Sequence, residues 1–294
     1  MNVMVGISTK KIAVVAVYAA VLAAVSRIPG IPIFVGTKVG SIELTVALYP
    51  LVGILFGPYT GAFAALVANI VIFLIPKWSV FGLLTIPAGA LSALVAGFLA
   101  SRDRMLGWKA AAAVLGVLIL CWYVPWPNPL QAYVGLEAPF YPLPMHIPAL
   151  GIILIFRHKI ADFMNRADRK VMTLGVALAS FAGMMAEHMW GNLMFAYLFF
   201  PYYVDLKGFR DFIRAVTQSS NWLIGMGSLS PNTVLQESSG IGDYFMLWLP
   251  VSAVERAVFL VVAVIVGVAV IRMIGGYLES LGLTPLRGKP QDIS

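Results

Sequence analysis

Two neighbouring ionisable residues, Glu187 and His188, stand inside a long apolar stretch of the sequence. Asn192 follows four residues after His188, so the two side chains share a face if the stretch is helical. Ionisable groups inside a membrane span are costly and mark functional sites. A carboxylate and an imidazole can bind a polar ligand or carry a proton. Adjacent side chains point to different faces of a helix, which is poor metal-ligand geometry, so we expect no metal site.

Two more polar side chains inside apolar stretches, Asn69 and Glu255, join these residues as candidate ligand contacts. Two structural alternatives stay open. His188 could be a packing histidine, and Glu255 with the neighbouring Arg256 could form an ion pair, for instance with Glu187.

Three tryptophans, Trp122, Trp126 and Trp190, are candidates to stack on a flat ligand ring. A pocket with aromatic walls and a few polar groups is the usual form of a small-molecule site. A carboxylate beside aromatic rings would suit a cationic or amine-bearing heterocycle.

The composition indicates a membrane protein. Of the 294 residues, 60% are hydrophobic and only 11% are charged, whereas soluble domains carry about 25% charged residues. The net charge is +7, and the basic residues stand in short segments beside apolar stretches. This placement favours contact with the lipid bilayer over nucleic acid. The single cysteine, Cys121, excludes an internal disulfide.

Hydropathy predicts one all-α transmembrane domain over residues 1–294, a polytopic helical bundle with about eight spans. Gly57 and Pro58 predict a tight hairpin between the second and third spans. The predicted spans are residues 12–28, 43–57, 60–76, 80–100, 108–125, 146–163, 171–199 and 246–273.

The distribution of Lys and Arg predicts the orientation of these spans. Basic residues concentrate in the segments that lie inside if the N-terminus is cytoplasmic, as the positive-inside rule requires. We therefore expect a multi-pass protein of the cell membrane with both termini in the cytoplasm. Residues 126–145 form a predicted outer loop rich in proline and aromatics, and residues 201–245 a long outer loop with a short amphipathic helix. The candidate ligand contacts then gather in the outer half of the membrane.

Small residues recur at every fourth position in the first span, at Ala16, Ala20 and Ala24. Similar stripes follow in the second span, at Gly53 and Gly57, and in the fourth, at Gly89, Ala93 and Gly97. Such stripes let helices approach closely. They serve either packing inside this protein or docking of another membrane subunit, for which the terminal first span is the best candidate.

The sequence lacks the common motifs of soluble catalysis. It contains no Gly-x-x-x-x-Gly-Lys-Ser/Thr phosphate loop, no His-Glu-x-x-His and no Gly-x-Ser-x-Gly. The predicted cytoplasmic loops are too short to hold a catalytic domain. We expect no enzymatic activity and no cofactor.

Four stretches in this order resemble the substrate-binding S components of energy-coupling factor (ECF) vitamin transporters. They are Lys-Ile-Ala-Val-Val-Ala-Val-Tyr-Ala-Ala-Val-Leu-Ala-Ala at 11–24, Leu-Phe-Gly-Pro-Tyr-Thr-Gly-Ala at 55–62, Pro-Ala-Gly-Ala-Leu-Ser-Ala-Leu-Val-Ala-Gly at 87–97 and Val-Glu-Arg at 254–256. The resemblance implies a core of six helices, to which this chain would add about two spans. It implies a subunit that binds a vitamin or related micronutrient from outside.

The same resemblance implies partners. The S component docks through its alanine-striped first helix to a membrane coupling subunit driven by two cytoplasmic ATPases, and Ala16, Ala20 and Ala24 match that helix. Two other classes remain open: a non-catalytic accessory or anchoring subunit of a larger membrane complex, and an intramembrane enzyme built around Glu187 and His188.

Overall fold

The computed structural model describes residues 9–28, 31–32, 41–42, 44–75, 79–101, 103, 105–126, 134–203 and 241–286. Within these ranges the regular secondary structure is helical apart from two paired antiparallel strands of two residues, β1 (Ile31–Pro32) and β2 (Ser41–Ile42). The helical fold class expected from the sequence is confirmed.

Every predicted span contains a helix. The first five spans hold α1 (Thr9–Val25), α2 (Thr45–Phe56), α3 (Pro58–Leu74), α4 (Val80–Leu84) with α5 (Ile86–Ala100), and α6 (Leu106–Tyr123). A short helix, α7 (Val134–Glu137), comes before α8 (His146–Phe156) and α9 (Lys159–Met164). The last spans hold α10 (Arg169–Met194), a π-helical segment (Phe195–Phe199), α11 (Phe200–Tyr203) and α12 (Ile241–Ser280).

Four helical segments among the described residues are long and apolar enough to cross a membrane: Val80–Ala100, Leu106–Tyr123, Arg169–Tyr202 and Ile241–Ser280. Three shorter apolar helices, α2, α3 and α8, accompany them. The protein is therefore a helical membrane protein, and the count of about eight spans stays a prediction. At about 1.5 Å per residue α12 is ~60 Å long, about twice the hydrocarbon thickness of a bilayer.

Two predicted spans are interrupted. The fourth breaks at Thr85, between α4 and α5, because Pro87 suits the first turn of a new helix but cannot continue the preceding one. The sixth breaks after Phe156, where Arg157 adopts a positive φ of 48° and ends α8. At eleven residues α8 is too short by itself to span the hydrocarbon core.

The predicted hairpin between α2 and α3 is confirmed. Gly57 alone separates the two helices, and its φ of 83° is a conformation that residues with a Cβ rarely adopt. Pro58 then opens α3, where its missing N–H is not needed.

The small residues of α2, α3 and α5 serve packing inside the protein. A Cβ added to Gly53 would lie 1.9 Å from the carbonyl oxygen of Ala93, and one added to Gly97 would lie 2.6 Å from the Cα of Pro58. The backbones are therefore in direct contact, as small-residue stripes allow. Of the two interpretations of these stripes, internal packing is confirmed for α2 and α5.

Helix α10 lies at the centre of the bundle and packs against α2, α5, α6, α8, α9 and α12. Asp168 begins it, because its carboxylate accepts hydrogen bonds from the backbone N–H groups of Lys170 (2.7 Å) and Val171 (3.2 Å). Polar side chains on α10 consequently face several helices at once.

The described part of residues 126–145 folds back over the C-terminal end of α6. Trp122 donates a hydrogen bond from its indole nitrogen to the carbonyl of Ala138 (3.0 Å), and Tyr123 donates one from its hydroxyl to Pro139 (2.8 Å). These bonds fix the turn that leads into α8. The amphipathic helix expected within residues 201–245 falls outside the described residues.

Candidate functional site

A buried ion pair joins α10 to α12. Arg256 donates to a carboxylate oxygen of Glu187 over 2.7 Å, with the side chains only 6% and 13% exposed. A buried charge is tolerated when it is paired and hydrogen-bonded. The structure therefore contains the pair that the sequence raised as an alternative for Arg256. Glu255, the residue before Arg256, is also buried.

One helical step from Glu187, His188 stacks on His146 from the start of α8. The ring centroids are 5.2 Å apart, the planes differ by 12°, and the residues are 6% and 0% exposed. Both ring nitrogens of His146 and Nδ1 of His188 are buried with no hydrogen-bond partner in the described part of the chain. Leaving a buried polar atom unpaired costs roughly 1–3 kcal/mol, so such atoms call for a functional explanation.

Tyr141 links the histidine pair to Asn192. The side-chain amide of Asn192 donates to the Tyr141 hydroxyl over 3.0 Å, and the Tyr141 ring lies 5.9 Å from His146 and 6.4 Å from His188. Burial raises the pKa of Tyr141, so its hydroxyl stays protonated. We call Tyr141, His146, Glu187, His188, Asn192 and Arg256 the polar cluster.

An aromatic wall adjoins the polar cluster. Trp122 stacks on Tyr141 with the centroids 4.9 Å apart and the planes 23° apart, and Phe245 meets Trp122 edge-on at 4.9 Å. Trp126 lies farther out, stacked on Tyr197 at 5.7 Å. Trp122 is therefore the tryptophan that the structure brings to the polar cluster.

Asn69 and Trp190 lie at the break between α4 and α5. Asn69 accepts a hydrogen bond from the hydroxyl of Tyr49 (2.6 Å) and donates one to the carbonyl of Ile86 (2.9 Å). Trp190 donates from its indole nitrogen to the carbonyl of Leu84 (3.0 Å). These bonds tie α3 and α10 to the interrupted span. The polar cluster, by contrast, is joined through contacts of α8, α10 and α12.

Sequence reasoning missed two members of the polar cluster, His146 and Tyr141. His146 stands at the start of the predicted sixth span, on the same side of the membrane as the end of α10. This position could have identified His146 as a candidate, because an ionisable residue at the end of a span can contact other polar groups inside the membrane. Tyr141 carried no comparable signal, because its place depends on the path of the turn before α8.

Beyond Asn192, α10 passes into the π-helical segment Phe195–Phe199. Such segments are rare and frequently occur at functional sites. Phe195 stacks here on Tyr244 of α12, with centroids 5.1 Å apart. The wider turn thus joins the end of α10 to the aromatic wall. Across the described ranges, no group of three or more His, Cys, Asp or Glu side chains is arranged to hold a metal ion.

The alanine stripe of α1 is exposed. Ala16, Ala20 and Ala24 lie on the open face of the helix, whereas Ala19 and Leu22 are buried. Helix α1 packs mainly against α3. Within the described part of the chain the stripe is not covered by another helix, in contrast to the small residues of α2 and α5.

Residues 6–126 match the family model described as "ECF-type riboflavin transporter, S component". An uncharacterized protein of Methanocaldococcus jannaschii is 32% identical over 151 residues, which cover 51% of this chain and 47% of that protein. The match thus spans about half the length of that relative. No solved structure matches the chain.

The matched residues contain α1 to α6, and with them the alanine stripe, Asn69, Trp122 and Trp126. All six residues of the polar cluster lie beyond the match. The resemblance seen in the sequence is confirmed over this range, because residues 6–126 match the family model of the S components.

Proposed function

We propose that the chain is the substrate-binding membrane subunit of an ECF-type uptake transporter. It captures a small water-soluble micronutrient on the outer side and releases it inside after docking to an ATP-driven coupling module. The family match over residues 6–126 carries this proposal. The composition and the membrane-compatible helices agree with it.

The two ends of the bundle support an outward-facing site. His146 begins α8 and Trp122 ends α6, whereas Arg157 follows α8 and Lys109 lies in the first turn of α6. The polar cluster and the basic residues therefore occupy opposite ends of these helices. With the basic end in the cytoplasm, the polar cluster faces outward and both termini are cytoplasmic.

The substrate site that we propose is the polar cluster with Trp122 as its aromatic wall. The unpartnered nitrogens of His146 and His188 would hydrogen-bond to the substrate, and Trp122 with Tyr141 would border a flat ring. Riboflavin is the first candidate because the matched family model is named for it.

The other candidate ligand contacts would lie at the margin of the site. Asn69 and Trp190 would shape it from the α4–α5 break, Trp126 from the outer rim and Glu255 from α12.

Docking would use the exposed face of α1. Ala16, Ala20 and Ala24 form a flat strip on which another membrane helix can pack closely. In the proposed complex that helix belongs to the membrane coupling subunit, and two cytoplasmic ATPases drive the cycle.

The experiment is a thermal-stability screen of the purified chain against riboflavin, other vitamins and nucleobases. A ligand that binds only the folded state raises Tm as its concentration rises. For each hit, His188→Asn is compared with Ser180→Ala, which alters another buried polar side chain of α10 with no recorded partner in the described part of the chain. We expect His188→Asn to abolish the shift and Ser180→Ala to retain it. Equal shifts in both variants would contradict the site.

A further inference from the structure

Two cations converge on one tryptophan at the basic end of the bundle. The ammonium of Lys109 lies 5.8 Å from the centroid of the Trp108 ring, and the guanidinium of Arg157 lies 5.3 Å from the same ring. Trp108 itself is half-buried against the core, and both cations are exposed. Cations over an indole face are attracted by its quadrupole, so the ring gathers two like charges at the junction of α6 and α8.

The backbone of Arg157 has an unfavourable conformation. Its φ of 48° makes it the one described non-glycine residue with a positive φ. With ψ at −125°, this backbone conformation is one that glycine adopts readily and that strains a residue with a Cβ. The side chain donates from Nε to the carbonyl of Leu154 over 3.0 Å, which orients the guanidinium. Glycine would relieve this strain but would remove the cation that lies over the Trp108 ring.

Two carboxylates at the starts of α6 and α10, those of Asp103 and Asp168, accept hydrogen bonds from backbone N–H groups. Asp103 accepts hydrogen bonds from the backbone N–H groups of Met105 and Leu106 at the start of α6. Asp168 serves the start of α10 in the same way. The one recorded ion pair among the described residues is that of Arg256 with Glu187. Neither Lys109 nor Arg157 forms an ion pair with another described residue, so an anion from outside the chain can reach both exposed cations.

Exposed apolar side chains stand directly beside the two cations. Leu154 and Ile155, in the last turn of α8, are 45% and 73% exposed, and Leu106 at the start of α6 is also exposed. An inorganic phosphate ion has no apolar part that could contact such a surface. A molecule with an anionic head and hydrocarbon chains matches both parts.

We propose that Trp108, Lys109 and Arg157 bind the headgroup phosphate of an anionic phospholipid, with its acyl chains along Leu154 and Ile155. Basic pockets between membrane helices bind such headgroups, and tryptophan is enriched at the level of the headgroups. The site is separate from the polar cluster, which lies at the other end of α6 and α8, and it stands whether or not the proposed transport function is correct.

The test is native mass spectrometry of the full chain in detergent with an equimolar mixture of phosphatidylglycerol and phosphatidylcholine of the same acyl chains. The wild-type chain is expected to retain phosphatidylglycerol preferentially. Arg157→Gln and Lys109→Gln should each lower that preference about fivefold, the factor that corresponds to ~1 kcal/mol per basic residue. Arg169→Gln removes an exposed cation from the start of α10, away from Trp108, and should change it by roughly twofold at most, as for a solvent-screened charge.

Three results would overturn the proposal. One is equal retention of the two lipids by the wild-type chain. Another is an equal loss of preference in Arg157→Gln and Arg169→Gln, which would mean attraction by the general positive charge. The third is displacement of the lipid by millimolar inorganic phosphate, which would assign the site to a free anion. Arg157→Gly guards against misfolding: it suits the positive φ of this position, so it should keep the fold and still lose the lipid preference.

Discussion

The imidazole rings of His146 and His188 lie almost parallel in the protein interior, 5.2 Å apart between centroids. They come from different helices, α8 and α10, and three of their four nitrogens have no recorded partner in the described part of the chain. An apolar pair at this place would pack without that cost. We propose that a polar molecule binds between α8, α10 and α12 and supplies partners for these nitrogens.

The first prediction concerns the cost of His146. In His146→Leu a side chain of similar volume replaces one with two unpartnered nitrogens. The ligand-free protein should therefore unfold at the same or a higher temperature, and its free energy of unfolding should rise by up to roughly 1–3 kcal/mol. Ligand binding should weaken at least about tenfold, the effect of one charged or two neutral hydrogen bonds. Thermal unfolding with and without ligand measures both effects. A large fall in Tm with unchanged affinity would identify His146 as a packing residue.

The second prediction concerns the ion pair of Glu187 with Arg256. Glu187→Ala leaves a buried guanidinium unpaired and should destabilise the protein by about 3–5 kcal/mol. Glu187→Leu combined with Arg256→Met removes both charges and should recover most of that loss.

Glu255→Gln is the control for this pair, because Glu255 is the neighbouring buried carboxylate without a recorded bond to Arg256. Unfolding in detergent by a denaturant titration measures all the variants. The interpretation is wrong if the double variant is as unstable as Glu187→Ala.

The third prediction concerns the contact of α2 with α5. A Cβ at Gly53 would collide with the backbone of Ala93, so Gly53→Ala should separate the helices and destabilise the protein by about 1–3 kcal/mol. Gly116→Ala, on α6, is the matched control, since a Cβ there meets nothing within 4 Å. It should be neutral or slightly stabilising, because alanine favours a helix. Equal Tm values for the two variants would contradict the close contact.

The fourth prediction concerns docking through α1. Ala20→Trp places a bulky side chain on the exposed stripe and should abolish co-purification with the coupling subunit while leaving Tm unchanged. Ala113→Trp, at an exposed alanine of α6, should retain the complex. Loss of the complex in both variants, or in neither, would remove α1 from the docking surface.

Local rules predicted much of the framework. Gly57 and Pro58 encode the hairpin by backbone conformation alone, and the helices follow from hydropathy. Glu187 and His188 were predicted to lie inside the bundle because they stand in an apolar stretch, and the structure places them there.

Features that depend on tertiary contacts were not predictable in the same way. Tyr141 and His146 join α10 only because the turn before α8 folds over α6. The break at Arg157 carries no glycine or proline in the sequence, and the π-helical segment has no local signature. Asn69, like Asn192, is a polar residue inside an apolar stretch. Its side-chain amide nevertheless forms hydrogen bonds with Tyr49 and Ile86 at the α4–α5 break.

The measurement that tests the central claim most directly is uptake by proteoliposomes that contain the chain and an ECF coupling module, with ATP supplied on the side of the ATPases. The ligand identified by thermal stabilisation is offered on the opposite side. The account predicts accumulation that requires ATP and both components, and that is lost in His188→Asn. Binding without accumulation in the complete system, or accumulation that persists without the chain, would contradict it.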